Sequence, residues 1–233
     1  MSTSVWPLNV LYEDNHLLVV CKPVMLPTMG VADDRPSLLA IAKAYIKQKY
    51  DKPGNVYLGI VSRLDAPVSG AVAIARTSKA ASRLSRQFRD QSVEKIYWAV
   101  VEGTPDPQQG RLIDYVRKDE RHRRMHLARP DHQGARQARL SYRTLATRGS
   151  RSLLEVRLET GRKHQIRLQL AAQGHPIMGD RKYGSRRPFS EGIALHCRTI
   201  EFEHPVRRQP LRITAPFPPS WRQSGFSDRC SLS

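Results

Sequence analysis

The stretch Ser62-Arg63-Leu64-Asp65-Ala66-Pro67-Val68-Ser69-Gly70 lies between two apolar runs, Val56 to Val61 and Gly70 to Ala75. Short apolar runs bounded by turn residues read as buried strands. Pro67 and Gly70 mark a turn between them, which puts Asp65 in a loop at the end of a strand. Arg63 precedes it by two residues and, in extended chain, lies on the same side. A carboxylate held near fixed cations stays ionised and can serve as nucleophile or base. Taken alone, this segment is better read as a turn-forming Asp ahead of Pro67.

Outward from this loop, the N-terminal side reads as two short strands, Leu8 to Glu13 and Leu17 to Lys22, around a turn at Asp14-Asn15-His16. Arg35-Pro36-Ser37 starts a helix whose apolar positions, from Leu38 to Ile46, recur at helical spacing up to Tyr50. On the C-terminal side, Ser78 to Phe88 is a basic amphipathic helix with Arg83 and Arg86, and Arg89 follows it. Val93 to Val101 alternates as a strand, with Tyr97 and Trp98 on opposite faces. Residues 103–110 read as a loop. Arg136 to Thr147 and Leu153 to Glu159 are two further strands, Arg162 to Gln173 a helix stopped by Gly174, and Ile193 to Phe202 and Leu211 to Thr214 closing strands. Hairpins mixed with isolated helices, without regular strand–helix alternation, predict an α+β fold with a mixed, largely antiparallel sheet. Residues 1–225 are expected to form a single domain, with a frayed polar tail at 226–233.

A second segment, Thr160-Gly161-Arg162-Lys163-His164-Gln165-Ile166-Arg167, concentrates cations where a strand gives way to a helix. Cations at a helix start oppose its dipole, so an anion is expected nearby, either a phosphate or a buried carboxylate. The run Gly174-His175-Pro176-Ile177-Met178-Gly179-Asp180, with Tyr183-Gly184, turns the chain back sharply and is dense in residues that permit unusual backbone angles.

The 233 residues include 39 Lys and Arg against 21 Asp and Glu, for a net charge of +18, while 39 % are hydrophobic. That combination describes a folded protein with a polyanionic partner, most simply RNA or DNA. No helix-turn-helix or zinc-finger spacing supports DNA. Three widely spaced cysteines, Cys21, Cys197 and Cys230, form no CxxC pair, which argues against a disulfide framework or zinc ribbon and fits a reducing cytoplasm. The first ten residues, MSTSVWPLNV, lack the layout of a secretory signal, and no apolar run reaches membrane-spanning length. Arg117 to Arg129 is the densest charge run. It reads as a projecting loop or hairpin that clamps phosphates, or as a solvated loop. His122 and His126 lie in this run without a cysteine or carboxylate cluster, so no metal is expected. Trp98 and Trp221 read as packing residues.

Together these segments resemble the pseudouridine synthases of the RluA branch. That family carries HRLDxxTSG around a catalytic Asp and, further on, a pattern close to GRxHQIRxHLaxxGHPIxGDxxYG. This chain has SRLDAPVSG and GRKHQIRLQLAAQGHPIMGDRKYG, with the intervening KxYxAxxxG pattern at Lys95, Tyr97, Ala99 and Gly103 and an opening EDNHLLVVCKP that ends at Lys22-Pro23. The similarity runs from about residue 9 to about residue 215. It implies a single catalytic domain with its active site in a central basic cleft. Asp65 is implied as catalytic carboxylate, Arg167 as its partner, Tyr97 as the residue that stacks on the target base, and Arg63 as the filler of the gap left by the flipped uridine. Arg162, Lys163, His164, Arg83, Arg86, Arg121, Arg123 and Arg124 are the candidate RNA contacts. The implied activity is isomerisation of uridine in ribosomal or transfer RNA to pseudouridine by a cytoplasmic monomer without cofactor or metal. A non-catalytic RNA-binding or ribosome-assembly protein that kept the fold is the alternative. The chain departs from the family pattern at Ser62 (usually His), Val68 (usually Thr) and Met25 (usually Gly). The small N-terminal RNA-binding domain of many relatives is not expected here.

Overall fold

The computed structural model describes residues 7–32, 35–122 and 124–228, and of Gln223 the backbone alone. The candidate RNA contact Arg123, Cys230 and the first six residues lie outside the described residues. The class is α+β, with a mixed, mostly antiparallel sheet and, among the described residues, three α-helices. The chain divides into two compact units, one formed by Met1–Val93 with Thr199–Pro216 and the other by Glu94–Arg198 with Phe217–Ser233.

In the first unit, β1 (Asn9–Glu13) and β2 (Leu17–Lys22) form the expected hairpin. Its turn is set by Asp14, whose Oδ1 accepts the amides of His16 and Leu17, both at 2.8 Å. Helix α1 (Leu38–Lys49) starts where Ser37 accepts the Ala40 amide, and it buries Leu38, Ala42 and Ile46, one stripe at four-residue spacing. The predicted strand Val56–Val61 is a ladder only over β3 (Gly59–Ile60), which pairs with β4 (Ser69–Ala75) at Ala75 and Ile74. Val56 and Leu58 are buried without ladder partners, and the chain beyond Ile60 leaves the sheet for the Asp65 loop. Strand β4 is buried along its whole length and runs antiparallel to β2 from Leu17–Ala75 to Lys22–Gly70. Helix α2 (Ser78–Arg89) is capped by Thr77 and buries Ala80 and Leu84; Arg86 and Arg89 stand in its last turn, where cations complement the helix dipole.

The second unit is built on antiparallel strands. Strand β5 (Glu94–Glu102) pairs with β9 (Arg151–Leu158), β9 with β8 (Arg136–Arg148), β8 with β6 (Gln109–Asp119), and β6 with β7 (Arg124–Ala128). Their order is β5-β9-β8-β6-β7. Two elements here differ from the sequence reading. Gln109 and Gly110, read as the end of a loop, begin the long strand β6, which the sequence reading left unassigned beyond them, held by eight register pairs with β8 from Gln109–Arg143 to Val116–Arg136. Helix α3 is Gln165–Ala172, three residues shorter at its start than predicted, because His164 is left-handed at φ 51°. The Gln165 side chain fills the gap: its Oε1 accepts the Arg162 amide at 3.0 Å and the Thr160 hydroxyl at 2.8 Å, and its Nε2 donates to the Arg139 carbonyl at 3.0 Å.

Strand β10 (Leu195–Glu203) begins in the second unit and ends in the first, where β11 (Pro210–Thr214) pairs with it from Thr199 onward. Of the tail expected to fray, residues 226–228 are described, with Phe226 buried and Ser227 and Asp228 exposed. Trp221 and Phe226 are buried, Trp221 meets the rings of Phe189, His196 and Phe217, and Asp228 pairs with Arg198 at 2.5 Å.

Candidate active site

The register of β2 against β4 builds the Asp65 loop. Lys22 is the last residue of β2 and sits opposite Gly70, the second residue of β4, so its side chain reaches the loop that enters β4. Lys22 is fully buried. Its ammonium donates to the carbonyls of Pro23 (2.7 Å), Leu26 (2.8 Å) and Ala66 (3.2 Å), which uses all three protons. Burial pushes its pKa down to about 7, against the upward pull of the nearby Asp65 carboxylate. A second clamp is Thr28, whose hydroxyl donates to the Leu64 carbonyl at 2.8 Å and accepts the Leu64 amide at 3.2 Å. Leu64 is buried, and the Asp65 carbonyl accepts the Val68 amide at 3.0 Å to close the turn. The loop is thus fixed on both sides of Asp65. The carboxylate is half-buried and the neighbouring Arg63 is exposed.

Met25, which departs from the family's Gly, lies in the loop that Lys22 straps down. It adopts φ 60° and is 63 % exposed. The left-handed conformation explains the usual glycine there.

In the second unit, Tyr97 lies on β5 opposite Val156 and is 8 % exposed. Arg167 is in the first turn of α3 and is buried, and the anion expected at this helix start includes a buried carboxylate. Asp180 receives Arg167 Nε at 2.6 Å and a terminal guanidinium nitrogen at 2.8 Å, a two-pronged pair with both side chains almost fully enclosed. Asp180 is placed by Gly179, whose φ is +83° and where an added Cβ would come within 2.7 Å of Phe189 and 2.9 Å of the Gly192 carbonyl. Only glycine fits there, so the Gly-Asp pair of the sequence has a steric cause. Tyr183, in a short 3-10 turn (Arg181–Tyr183), is buried against Val116, Met125, Ala138 and Leu168.

The candidate RNA contacts separate into two groups. Arg86, Arg121 and Lys163 are exposed. Arg83 donates to the Pro205 carbonyl at 2.8 Å, Arg162 to the Gln137 carbonyl at 2.9 Å, His164 meets the Tyr183 hydroxyl at 2.8 Å, and Arg124 lies over the Tyr183 ring, so these four also hold the fold. The charge run is the β6–β7 hairpin. At its tip Asp119 takes the His122 amide and ring and lies 3.4 Å from His126; the His122 hydrogen bonds hold its carboxyl at about 2. Among the described residues no three His, Cys, Asp or Glu side chains come together as a metal site. Lys22, Thr28, Asp180 and Tyr183 received no role from the sequence. Lys22, Asp180 and Tyr183 stand inside the quoted motifs, which is the signal that could have found them.

Comparison with known proteins agrees with the motifs. A family model described as RNA pseudouridylate synthase matches residues 16–172. An uncharacterized RNA pseudouridine synthase of Synechocystis is 34 % identical over 218 residues, covering 91 % of this chain and 66 % of its own. The ribosomal large subunit pseudouridine synthase D of Xanthomonas campestris is 35 % identical over 241 residues, with the same coverage of 91 % and 66 %. Among solved structures, human RNA pseudouridylate synthase domain containing 4 superposes with a TM-score of 0.77 at 23 % identity, over 92 % of each chain, a likeness of fold. The chain belongs to the RNA pseudouridine synthase family. It spans about two thirds of the length of the curated relatives just named.

Proposed function

We propose that this protein isomerises uridine to pseudouridine within structured RNA, with ribosomal RNA of the large subunit as the first candidate substrate. The observation that carries the reading is the Asp65 loop, tied down on both sides by Lys22 and Thr28 inside the span that matches the family; the motif resemblance assigns Asp65 the role of catalytic carboxylate. The ribosomal choice rests on the names of relatives such as that of Xanthomonas campestris, and transfer RNA is the second candidate.

In the reaction the bond from uracil N1 to the ribose C1′ breaks, the base turns, and C1′ joins C5. The proton on C5 leaves and N1 gains one, so no electrons enter or leave and no cofactor is called for. Asp65 supplies the carboxylate, which attacks C1′, attacks the uracil ring or removes the 2′ proton. Lys22 lies near Asp65, where burial pushes the lysine pKa down to about 7 against the pull of the carboxylate. Tyr97 is assigned the face on which the extruded base stacks, and Arg63 the space that the base vacates. Arg167 is assigned the part of keeping the reacting carboxylate charged.

Pseudouridine mapping of total RNA, with wild-type protein and with Asp65→Asn, tests this. The expected result is one or more uridines converted by the wild type and none by the variant, with RNA affinity retained within a few-fold. Turnover by purified Asp65→Asn removes the assignment of the carboxylate. A wild type that binds RNA and modifies none leaves the alternative, a binding protein on the same fold.

A further inference from the structure

Two guanidiniums lie over the Tyr183 ring. Arg167, from α3, is 5.1 Å from its centroid, and Arg124, from β7, is 4.9 Å away. The hydroxyl is engaged as well. It accepts the backbone amide of Met125 at 3.1 Å and meets His164 Nδ1 at 2.8 Å. The Met125 amide donates to the hydroxyl oxygen, and the hydroxyl and the His164 imidazole share the second hydrogen bond, its direction set by the imidazole tautomer. The ring is 3 % exposed, and the imidazole of His164 packs on it edge-on at 82°. One side chain therefore touches the assigned cation of the reaction, the backbone of the hairpin that carries the densest cationic run, and the left-handed residue that sets the start of α3.

We propose that Tyr183 is the positioning residue for Arg167, and that it ties the orientation of that guanidinium to the β6–β7 hairpin. The proposal rests on the reading of Arg167 given under the proposed function. Asp180 fixes the guanidinium in its plane through two hydrogen bonds. A planar fork held at one edge can still tilt about that edge, and an aromatic face against it removes the tilt. The hydroxyl does a separate job: it holds β7 by a main-chain amide, so the place of the hairpin and the place of the ring are one variable. RNA that closes on the hairpin arginines thereby presses on the support of Arg167 rather than on a detached arm.

Two variants separate the ring from the hydroxyl. Tyr183→Phe keeps the ring; Tyr183→Met keeps an apolar, flexible side chain of smaller volume and loses both. The measurements are the arginine Nε–H resonances, the exchange rate of the Met125 amide, and single-turnover pseudouridine formation at saturating ribosomal RNA alongside the dissociation constant. Tyr183→Phe is expected to leave the Arg167 Nε–H signal and the saturated rate within a few-fold of wild type, to speed exchange at Met125, and to weaken RNA binding several-fold. Tyr183→Met is expected to move the Arg167 signal and to cut the saturated rate by about 100-fold, the cost of a small misplacement of a reacting group. A residue that serves stability alone would lower the melting temperature and leave the saturated rate in place. An unmoved Arg167 signal or a wild-type saturated rate in Tyr183→Met overturns the proposal. So does Tyr183→Phe with unchanged Met125 exchange or with the rate abolished, which keeps the question decidable if the methionine variant does not fold. If wild-type protein modifies no RNA, the proposed function fails, while the resonance and exchange measurements still decide whether Tyr183 orients Arg167.

Discussion

Two residues of the first unit carry strain that the sequence motif hints at and the structure explains. Met25 holds φ 60° at a position 63 % exposed, so its side chain gains little packing in return for a backbone that costs a β-carbon about 1 kcal/mol or more. Met25→Gly should therefore stabilise the protein by about 0.5–1 kcal/mol, measured as a higher urea midpoint at constant slope. A lower midpoint would mean that the thioether makes contacts that outweigh the strain. Lys22 is the second case. Its folded pKa is near 7, below the ordinary lysine value of 10.5. Below pH 7 both folded and unfolded states carry the proton, and the cost of the buried charge is constant. From pH 7 to about 10.5 the unfolded state binds more protons than the folded one, so this group makes stability rise with pH. The stability difference between wild type and Lys22→Met should shift in favour of wild type across that window, with a limiting slope of about 1.4 kcal/mol per pH unit. A flat difference would show that the three carbonyls keep the ammonium charged throughout. The lysine was legible as part of a motif. Its burial was not, because it follows from the β2–β4 register, which no local pattern reveals.

Elements were legible where a period or a cap wrote them plainly. Ser37 and Thr77 cap α1 and α2 as their residue types suggest, and β2 and β4 are the apolar runs of the sequence. Strand β6 was missed at its start because Gly110, Arg111 and Asp114 dilute its apolar positions, and its pairing with β8 is what makes it a strand. The start of α3 was misread because His164 takes a conformation that sequence seldom announces, supported by Tyr183 from nineteen residues on. The described part of the charge run follows the β6–β7 hairpin, and its role as a phosphate clamp is a proposal. Arg121 at its tip and Arg129 at its base are exposed, whereas Arg124 is engaged with Tyr183. Arg121→Ala with Arg129→Ala should weaken RNA binding and flatten the salt dependence by about one unit of log–log slope for each phosphate that is no longer neutralised. Saturated single-turnover chemistry should hold within a few-fold. An unchanged slope would take the hairpin out of the phosphate track, and a collapse of saturated chemistry would place Arg121 or Arg129 in the reaction itself.

At the scale of the molecule, an excess of 18 positive charges and a set of motifs spread over most of the chain are separate kinds of information. The motifs gave the family, and the family model and relatives agree with them. On the proposed function, the charge says how RNA is found. Contacts to phosphate carry affinity without sequence, so a protein this basic should hold unrelated RNA nearly as well as its substrate and should discriminate in the reaction rather than in binding. The substrate RNA and a copy with the target uridine replaced by cytidine should therefore show dissociation constants within a few-fold of each other. Both affinities should fall by the same steep slope as salt rises, while pseudouridine forms only in the first. The comparison is to be made at two salt concentrations on one preparation, with binding and product measured together. A loss of affinity beyond about 100-fold on the single replacement, roughly 2.7 kcal/mol, would mean that the base pocket rather than the phosphate surface selects the RNA. Affinities insensitive to salt would mean that the net charge of the chain is not the charge of its RNA-binding face.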